Sequence, residues 1–482
     1  MTTSIVPVEY DRSVVSVGMV HLGVGNFHRS HQAMYVDRLL RDPAQFDAAR
    51  SWGICGVGVL PSDARMRDAL RSQDHEFTLV ERHPDGSAPA TRIGSIVEYL
   101  HAPDELDAVL ERLADPGVRI VSLTITEGGY NINDVTGEFD TTNPAIVADA
   151  RPGAAPATVF GILVAGLRLR SERGVAPFTV MSCDNVEGNG DTARRSVTAF
   201  ARLVDPELAA WIDASVAFPN SMVDRITPVT TDADRTWVGE RYGVDDAWPV
   251  LCEDYVQWVL EDEFTLGRPP FEQVGVQLVE DVRPHELMKL RMLNASHQAL
   301  AYAGILSGYD YAHDGASDGV IADFLRAYMA REAVPTLDLV PGVDLAEYRE
   351  RLVERFANSY VRDTLVRLAT DASDRIPKFV VPVARELRAT GADAPLCAAV
   401  VAGWACYAER TIARGGTLPD RQQAAVRAAV AHLDTDPVEF LRNREWFGDL
   451  ADDVRFAADF VTSLTALRGS NDPRPELARL TR

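Results

Sequence analysis

From Val17 to about Asp281, short apolar runs alternate with stretches of helical spacing, and this alternation limits the possible folds more than any other feature of the chain. "VGMVHL" breaks at Gly23 and Gly25 and continues with helical spacing through "NFHRSHQAMYVDRLL". "WGICGVGVLPSD" is a second apolar run, followed by the helix-forming "ARMRDALRSQ". The acidic first turn of "PDELDAVLERLADP" predicts an amphipathic helix leading into the buried strand "VRIVSLTIT". "APATVFGILVAGLRLRSERG" leads in the same way into "PFTVMSCDN". Strands joined through helices imply a largely parallel sheet covered on both faces. "FTLVERHPDGSAPATRIGSIVEYL" instead reads as a hairpin turning at "PDGSAP".

Beyond Asp281 helical patterns dominate, in "LMKLRMLNASHQALAYAGIL", "GVIADFLRAYMAREA", "LAEYRERLVERFAN" and "PLCAAVVAGWACYAER". A chain of 482 residues exceeds one ordinary core, so two domains are expected: α/β over 1–281 and mainly helical over 282–482. The final "GSNDPRPELARLTR" reads as a loosely docked tail.

Composition narrows the class. Apolar and charged fractions of 46% and 25% are those of a soluble globular protein. No apolar run reaches membrane-spanning length, and the first residues lack a basic segment followed by an apolar one, so a cytoplasmic protein without membrane partners is expected. Five scattered cysteines without a CxxC pair predict buried free thiols, with neither disulfides nor a zinc site. A net charge of −23 repels phosphate backbones and argues against nucleic acid; an anionic substrate would need local Arg or Lys.

Several strand ends carry candidate chemistry. The turn Gly23-Val24-Gly25, with Asn26 and Phe27 opening the helix, offers bare backbone to a dinucleotide pyrophosphate; it would equally allow tight strand–helix packing. His28 stands where the third glycine of GxGxxG is usual. Asp63 could accept bonds from the ribose hydroxyls of NAD, although it lies beyond the usual ~20 residues and would also serve as a helix N-cap. Arg65 and Arg67 leave NADP open. Glu127 in "SLTITEGGYN" and Asn185 in "MSCDNVEGNG" leave strand ends that face the crevice of such sheets. Each also has a plain reading, a solvated loop carboxylate and a turn-forming Asp-Asn pair. Asp224 and Arg225 in "PNSMVDRITP" suggest no chemistry by spacing alone.

Lys289 stands apart. Of 48 basic residues only Lys289 and Lys378 are Lys; every other one is Arg. Arg cannot release its proton near neutral pH, whereas Lys can when burial or neighbours disfavour the ammonium. Asn294 and His297, three apart, share a helix face and could both donate to one substrate oxygen while Lys289 takes its proton. Eight helical steps separate Lys289 from His297 by about 12 Å, so Lys289 is expected before the helix or in its first turn.

Five stretches together, "HLGVGNFHRSHQAMY", "SLTITEGGYN", "MSCDNVEGNG", "FPNSMVDRITP" and "KLRMLNASHQALAY", resemble the polyol-specific long-chain dehydrogenases, the mannitol dehydrogenase family. The resemblance runs from about Val20 to Pro382. It implies a Rossmann-type N-terminal domain and a helical C-terminal domain. The implied activity is zinc-independent, NAD-linked oxidation of a polyol to a ketose and its reverse, D-mannitol and D-fructose foremost. Lys289 then matches the general base, Asn294 and His297 the pair stabilising the oxyanion, and Asn185, Asp224 and His297 positions holding substrate hydroxyls. Glu127 matches a glutamate for proton exchange with solvent. Arg367 fits a substrate-contacting Arg, while Arg375 stands where the family commonly has Lys. Fructuronate or tagaturonate reduction and arabinitol oxidation belong to the same family. A non-catalytic NAD-binding sensor is the alternative of another kind. A monomer or small homo-oligomer is expected.

Overall fold

The computed structural model describes residues 4–133 and 137–482, with Glu127 described for its backbone alone. The chain divides into two compact units, one ending at Arg283 and the other beginning at Pro284.

The first unit is built on a five-stranded sheet. Its order is Ile96–His101, Gly53–Gly58, Val17–Leu22, Ile120–Leu123 and Thr179–Ser182. All four pairings are parallel, as the alternation of strands and helices predicts. Side chains on a strand alternate between faces, so Val20, Leu22, Val57, Val121 and Val180 pack on one side against the helices Ala102–Ala114, Val159–Glu172 and Asn189–Val204. Met19, Ile54, Ile120 and Met181 pack on the other against Gln32–Arg41 and Ala64–Arg71. Strand order reverses between Val17–Leu22 and Ile120–Leu123, the switch point at which such sheets open a ligand crevice. Arg170 fastens one flank: its buried guanidinium donates to the carbonyls of Leu113, Ala176, Asp115 and Val118.

The predicted hairpin is present: Phe77–Arg82 pairs antiparallel with Ala90–Ile93. These strands belong to a second sheet with Ile5–Val6 and Val250–Glu253. A third sheet joins Gln277–Val279, Gln257–Glu261 and Ser221–Asp224.

In the second unit the long helix Pro395–Ala413 is buried along most of its length and packs against Val454–Arg468 and Ala295–Leu306. Trp404, Phe440, Trp446 and Phe447 cluster beside it, Trp404 lying 5.1 Å from both Phe440 and Trp446 between ring centroids. The C-terminal stretch is not the loose tail that its composition suggests. It forms the helix Arg474–Leu480 with Glu476, Leu477 and Leu480 buried. Arg331 donates to the carbonyls of Leu480 and Thr481, which closes the end of that helix.

All five cysteines are buried and free. Among the described residues, no helix is long and apolar enough to cross a membrane.

Candidate functional site

In the first unit the glycine turn follows the strand Val17–Leu22. Gly23 has φ +92°, and a Cβ there would lie 2.3 Å from the Thr124 carbonyl oxygen, so a side chain is excluded. At Gly25 a Cβ would find no atom nearer than 3.9 Å, so the missing side chain leaves open space before the helix Asn26–Ser30. Such a cradle fits a dinucleotide pyrophosphate, since it offers bare backbone N–H groups that a Cβ would cover. Asn26 is anchored from beneath by donating to Pro228 O (3.0 Å) and Thr230 Oγ1 (2.9 Å), and it accepts from Arg29. The Phe27 ring stacks on His31, with centroids 4.9 Å apart. Arg225 supports the same segment, donating to Ser30 O and Glu253 O.

His28, at the third-glycine position, is turned inward and stacks on His21 with centroids 3.5 Å apart. Burial holds both rings neutral, His21 being pushed down to about 3. His21 is tied to Ser122 and Thr124 hydroxyls at 2.8 Å each, which couples the glycine turn to the neighbouring strand end.

Asp63 does not cap the helix that follows it. Its Oδ2 accepts instead from the backbone N–H groups of Val59 (3.0 Å) and Leu60 (2.9 Å), which folds the carboxylate back on the strand end. Arg67 is committed to Asp68 and Asp104, whereas Arg65 is exposed and lies over the Trp248 ring.

At the next strand end, Asp184 organises the turn that the sequence marks by Glu127. Its carboxylate accepts from Thr126 N (2.9 Å), Ile125 N (3.0 Å) and Tyr130 Oη (2.8 Å). Thr126 sits at φ 64°, ψ 166°, a conformation that side chains other than glycine rarely adopt. Glu127 opens the 3₁₀ turn Glu127–Tyr130; its side chain lies outside the described residues. Asn185 is exposed beside Asp184, and Asp224 is buried at the end of its strand. Asn189 ties these two segments together, donating to Asp184 O and Ser221 O and accepting from Ser221 N. Neither Asp184 nor Asn189 carries a distinguishing sequence signal; the "DN" pair reads there as a turn.

The second unit carries the Lys289 cluster. Lys289 is buried, 5% exposed, whereas Lys378 is exposed and pairs with Asp374 one helical turn away. Lys289 stands neither before the helix nor in its first turn. It begins a π-helical segment, Lys289–Asn294, within a continuous helical run from Arg283 to Leu306. A π-turn bonds residue i to i+5, so Lys289 and Asn294 become successive neighbours along one face, and His297 follows one α-turn later. Burial of the His297 ring comes first among the causes that hold its pKa well below the usual imidazole value, followed by the charges of Arg367, Arg355, Arg375 and Lys289. Those four cations therefore lie near enough to act on the imidazole. Phe356 packs on it at 4.6 Å. Arg355 has no distinguishing signal among the alternating Arg and Glu of its helix.

Arg367 is held by Asp363 through a bidentate pair. Arg375 donates to the carbonyls of Arg367 (3.2 Å) and Leu368 (3.0 Å), and Gln298 donates to the same Leu368 carbonyl. Among the described residues, no group of three or more His, Cys, Asp or Glu side chains is placed to hold a metal ion.

Comparison with known proteins agrees with this architecture. The mannitol dehydrogenase Rossmann domain model matches residues 17–273, and the mannitol dehydrogenase C-terminal domain model matches residues 281–468. Mannitol 2-dehydrogenase of Aspergillus fumigatus is 45% identical over 461 residues, covering 93% of this chain and 90% of that protein. Among solved structures, the Pseudomonas fluorescens mannitol 2-dehydrogenase ternary complex with NAD and D-mannitol superposes with a TM-score of 0.91 at 42% identity, covering 99% of this chain and 96% of that one. A substrate-free D-sorbitol dehydrogenase superposes with a TM-score of 0.85 at 37% identity, covering 98% and 97%. With both family models matched in order and relatives similar over nearly its whole length, the chain belongs to the mannitol dehydrogenase family.

Proposed function

We propose that this protein oxidises a polyol to a ketose with NAD, and runs the reverse reduction, with D-mannitol and D-fructose as the principal pair. The observation that carries the reading is the row Lys289, Asn294 and His297 in the second unit, where a rare buried Lys stands in line with two hydrogen-bond donors. Relatives named for mannitol 2-oxidation, and a solved relative holding NAD and D-mannitol, support the substrate and cofactor.

In this mechanism Gly23, Val24, Gly25, Asn26, Phe27 and Asp63 of the first unit would hold the dinucleotide. NAD supplies the hydride acceptor. Lys289, as the free amine, takes the hydroxyl proton as hydride leaves the carbinol carbon. Asn294 and neutral His297 donate to the oxygen and stabilise the negative charge that builds there. Burial and the nearby guanidinium groups keep His297 unprotonated, so it donates an N–H without adding a cation beside the base. Asn185, Asp224 and Arg367 orient the remaining hydroxyls. Arg375, where the family commonly has Lys, acts mainly through Arg367 and Leu368, whose carbonyls it holds. The base is an amine, so no zinc is required.

The test is Lys289→Arg beside Lys289→Ala. Guanidinium keeps the charge but stays protonated, so both variants should lose polyol oxidation by several orders of magnitude while NADH binding, followed by fluorescence, persists. Near wild-type turnover in either variant overturns the assignment of the base. Activity linked stoichiometrically to a metal that a chelator removes overturns the metal-free mechanism.

A further inference from the structure

We propose that the π-turn Lys289–Asn294 is a register device that brings the base into line with its partners, and that Tyr328 and Arg291 are the positioning residues that hold it. This rests on the reading of Lys289 as the base.

The geometry gives the reason. Five residues along an α-helix place side chains about 140° apart, so Lys289 and Asn294 would point to different sides of a regular helix. The i→i+5 bonding of a π-turn takes up one extra residue in a single turn and returns Lys289 to the face of Asn294. Ala295 N–H donates to Leu290 O, five residues back, which is the bond that defines the turn. A π-turn is less well bonded than an α-helix and persists where neighbours over-determine it.

Here two side chains do so, Tyr328 from outside the turn and Arg291 from within it. Buried Tyr328, the last residue of the helix Gly319–Tyr328, donates its hydroxyl to the Arg291 carbonyl at 3.1 Å. The Arg291 side chain donates to Thr336 O and pairs with Glu386 at 2.6 Å, which fixes the middle of the turn to two separate segments. Neither group belongs to the row Lys289–Asn294–His297. Both act on the backbone that sets it.

The experiment compares Tyr328→Phe, Arg291→Met and a one-residue deletion of Arg291, each measured for kcat, KM, NADH affinity and the pH profile of polyol oxidation. Tyr328→Phe removes a single oxygen and should lower kcat about tenfold while KM and NADH affinity stay within about threefold. Its apparent pKa for oxidation should move upward, toward the ~10.4 of free Lys. Arg291→Met should do the same more strongly. A merely structural loss would reduce the active fraction and leave the pH profile in place. The deletion leaves Lys289 and Asn294 four apart, the spacing of neighbours on an ordinary α-helix. It should therefore retain more activity than Arg291→Met and be insensitive to added Tyr328→Phe.

Wild-type kcat and pH profile in both point variants overturn the proposal, as does a folded deletion variant no more active than Lys289→Ala. Tyr328→Phe decides the question alone if the deletion does not fold. If Lys289→Ala keeps full turnover, the assignment of the base fails instead, which separates that failure from a failure of the register proposal.

Discussion

Asp184→Asn tests whether the strained strand-end turn contributes to activity. In the wild type the two carboxylate oxygens divide three donors, Oδ1 taking Thr126 N and Oδ2 taking Ile125 N and Tyr130 Oη. An Asn amide offers one oxygen, so in either orientation an NH₂ group faces a backbone N–H. Losing a hydrogen bond to a charged group costs about 1.5–3 kcal/mol. The conformation of Thr126 costs about 1–3 kcal/mol by itself. These magnitudes are comparable, so the variant no longer holds Thr126 in place and the turn carrying Glu127 relaxes. A net shift of about 1.4–2.8 kcal/mol corresponds to a 10- to 100-fold fall in kcat. Steady-state oxidation followed by NADH absorbance reads the first effect, and thermal unfolding should show a midpoint lowered by about 2–5 °C. Adding Thr126→Gly to Asp184→Asn should restore kcat to within about threefold, because glycine adopts that backbone without strain. An Asp184→Asn enzyme with wild-type kcat and melting midpoint, or a double variant without rescue, refutes the reasoning.

Two other outcomes are expected. Glu332 accepts from the N–H groups of Leu396 and Cys397 at 2.7 Å, yet burial pushes its pKa up from 4.5 to about 7. The native state then binds more protons than the unfolded chain between these values, so stability falls as pH rises through that window, by about 3 kcal/mol in all. Glu332→Gln should lack this slope, and a stability difference between wild type and variant that stays constant from pH 5.5 to 8.5 in urea unfolding would contradict it. Asp63→Ala should move cofactor preference from NAD toward NADP, with exposed Arg65 available to the 2′-phosphate; a wild type that strongly prefers NADP would place Asp63 away from the ribose.

Legibility in the sequence depends on whether the signal is local. The central sheet follows from apolar runs in regular alternation with helices, and the hairpin from its "PDGSAP" turn. The C-terminal helix is hidden because what closes it, Arg331, lies about 150 residues away in sequence. The π-turn is hidden because "LMKLRMLNASHQALAY" has one apolar pattern throughout. The extra residue shows itself only as an awkward spacing between Lys289 and His297. Asp63 is visible as a candidate, and its bonds to Val59 and Leu60 are local ones, the carboxylate reaching back three and four residues across the 3₁₀ turn Pro61–Asp63. Asp184 looks like half of a turn-forming pair because its three donors come from a segment some 55–60 residues earlier.

The buried thiols give the protein its own reporters of local opening. Burial raises the pKa of every cysteine, to about 12 for Cys252 and Cys406, so none is a ready nucleophile in the closed fold. Alkylation must wait for a transient exposure, and its rate then measures how often that exposure occurs. Cys55, Cys183 and Cys252 lie in the first unit and Cys397 and Cys406 in the second, so peptide-resolved labelling reads the two halves separately in one unmodified sample. Added NAD should slow labelling at Cys55, which lies in the central sheet, and at Cys183, which follows its edge strand, before it slows labelling at Cys406.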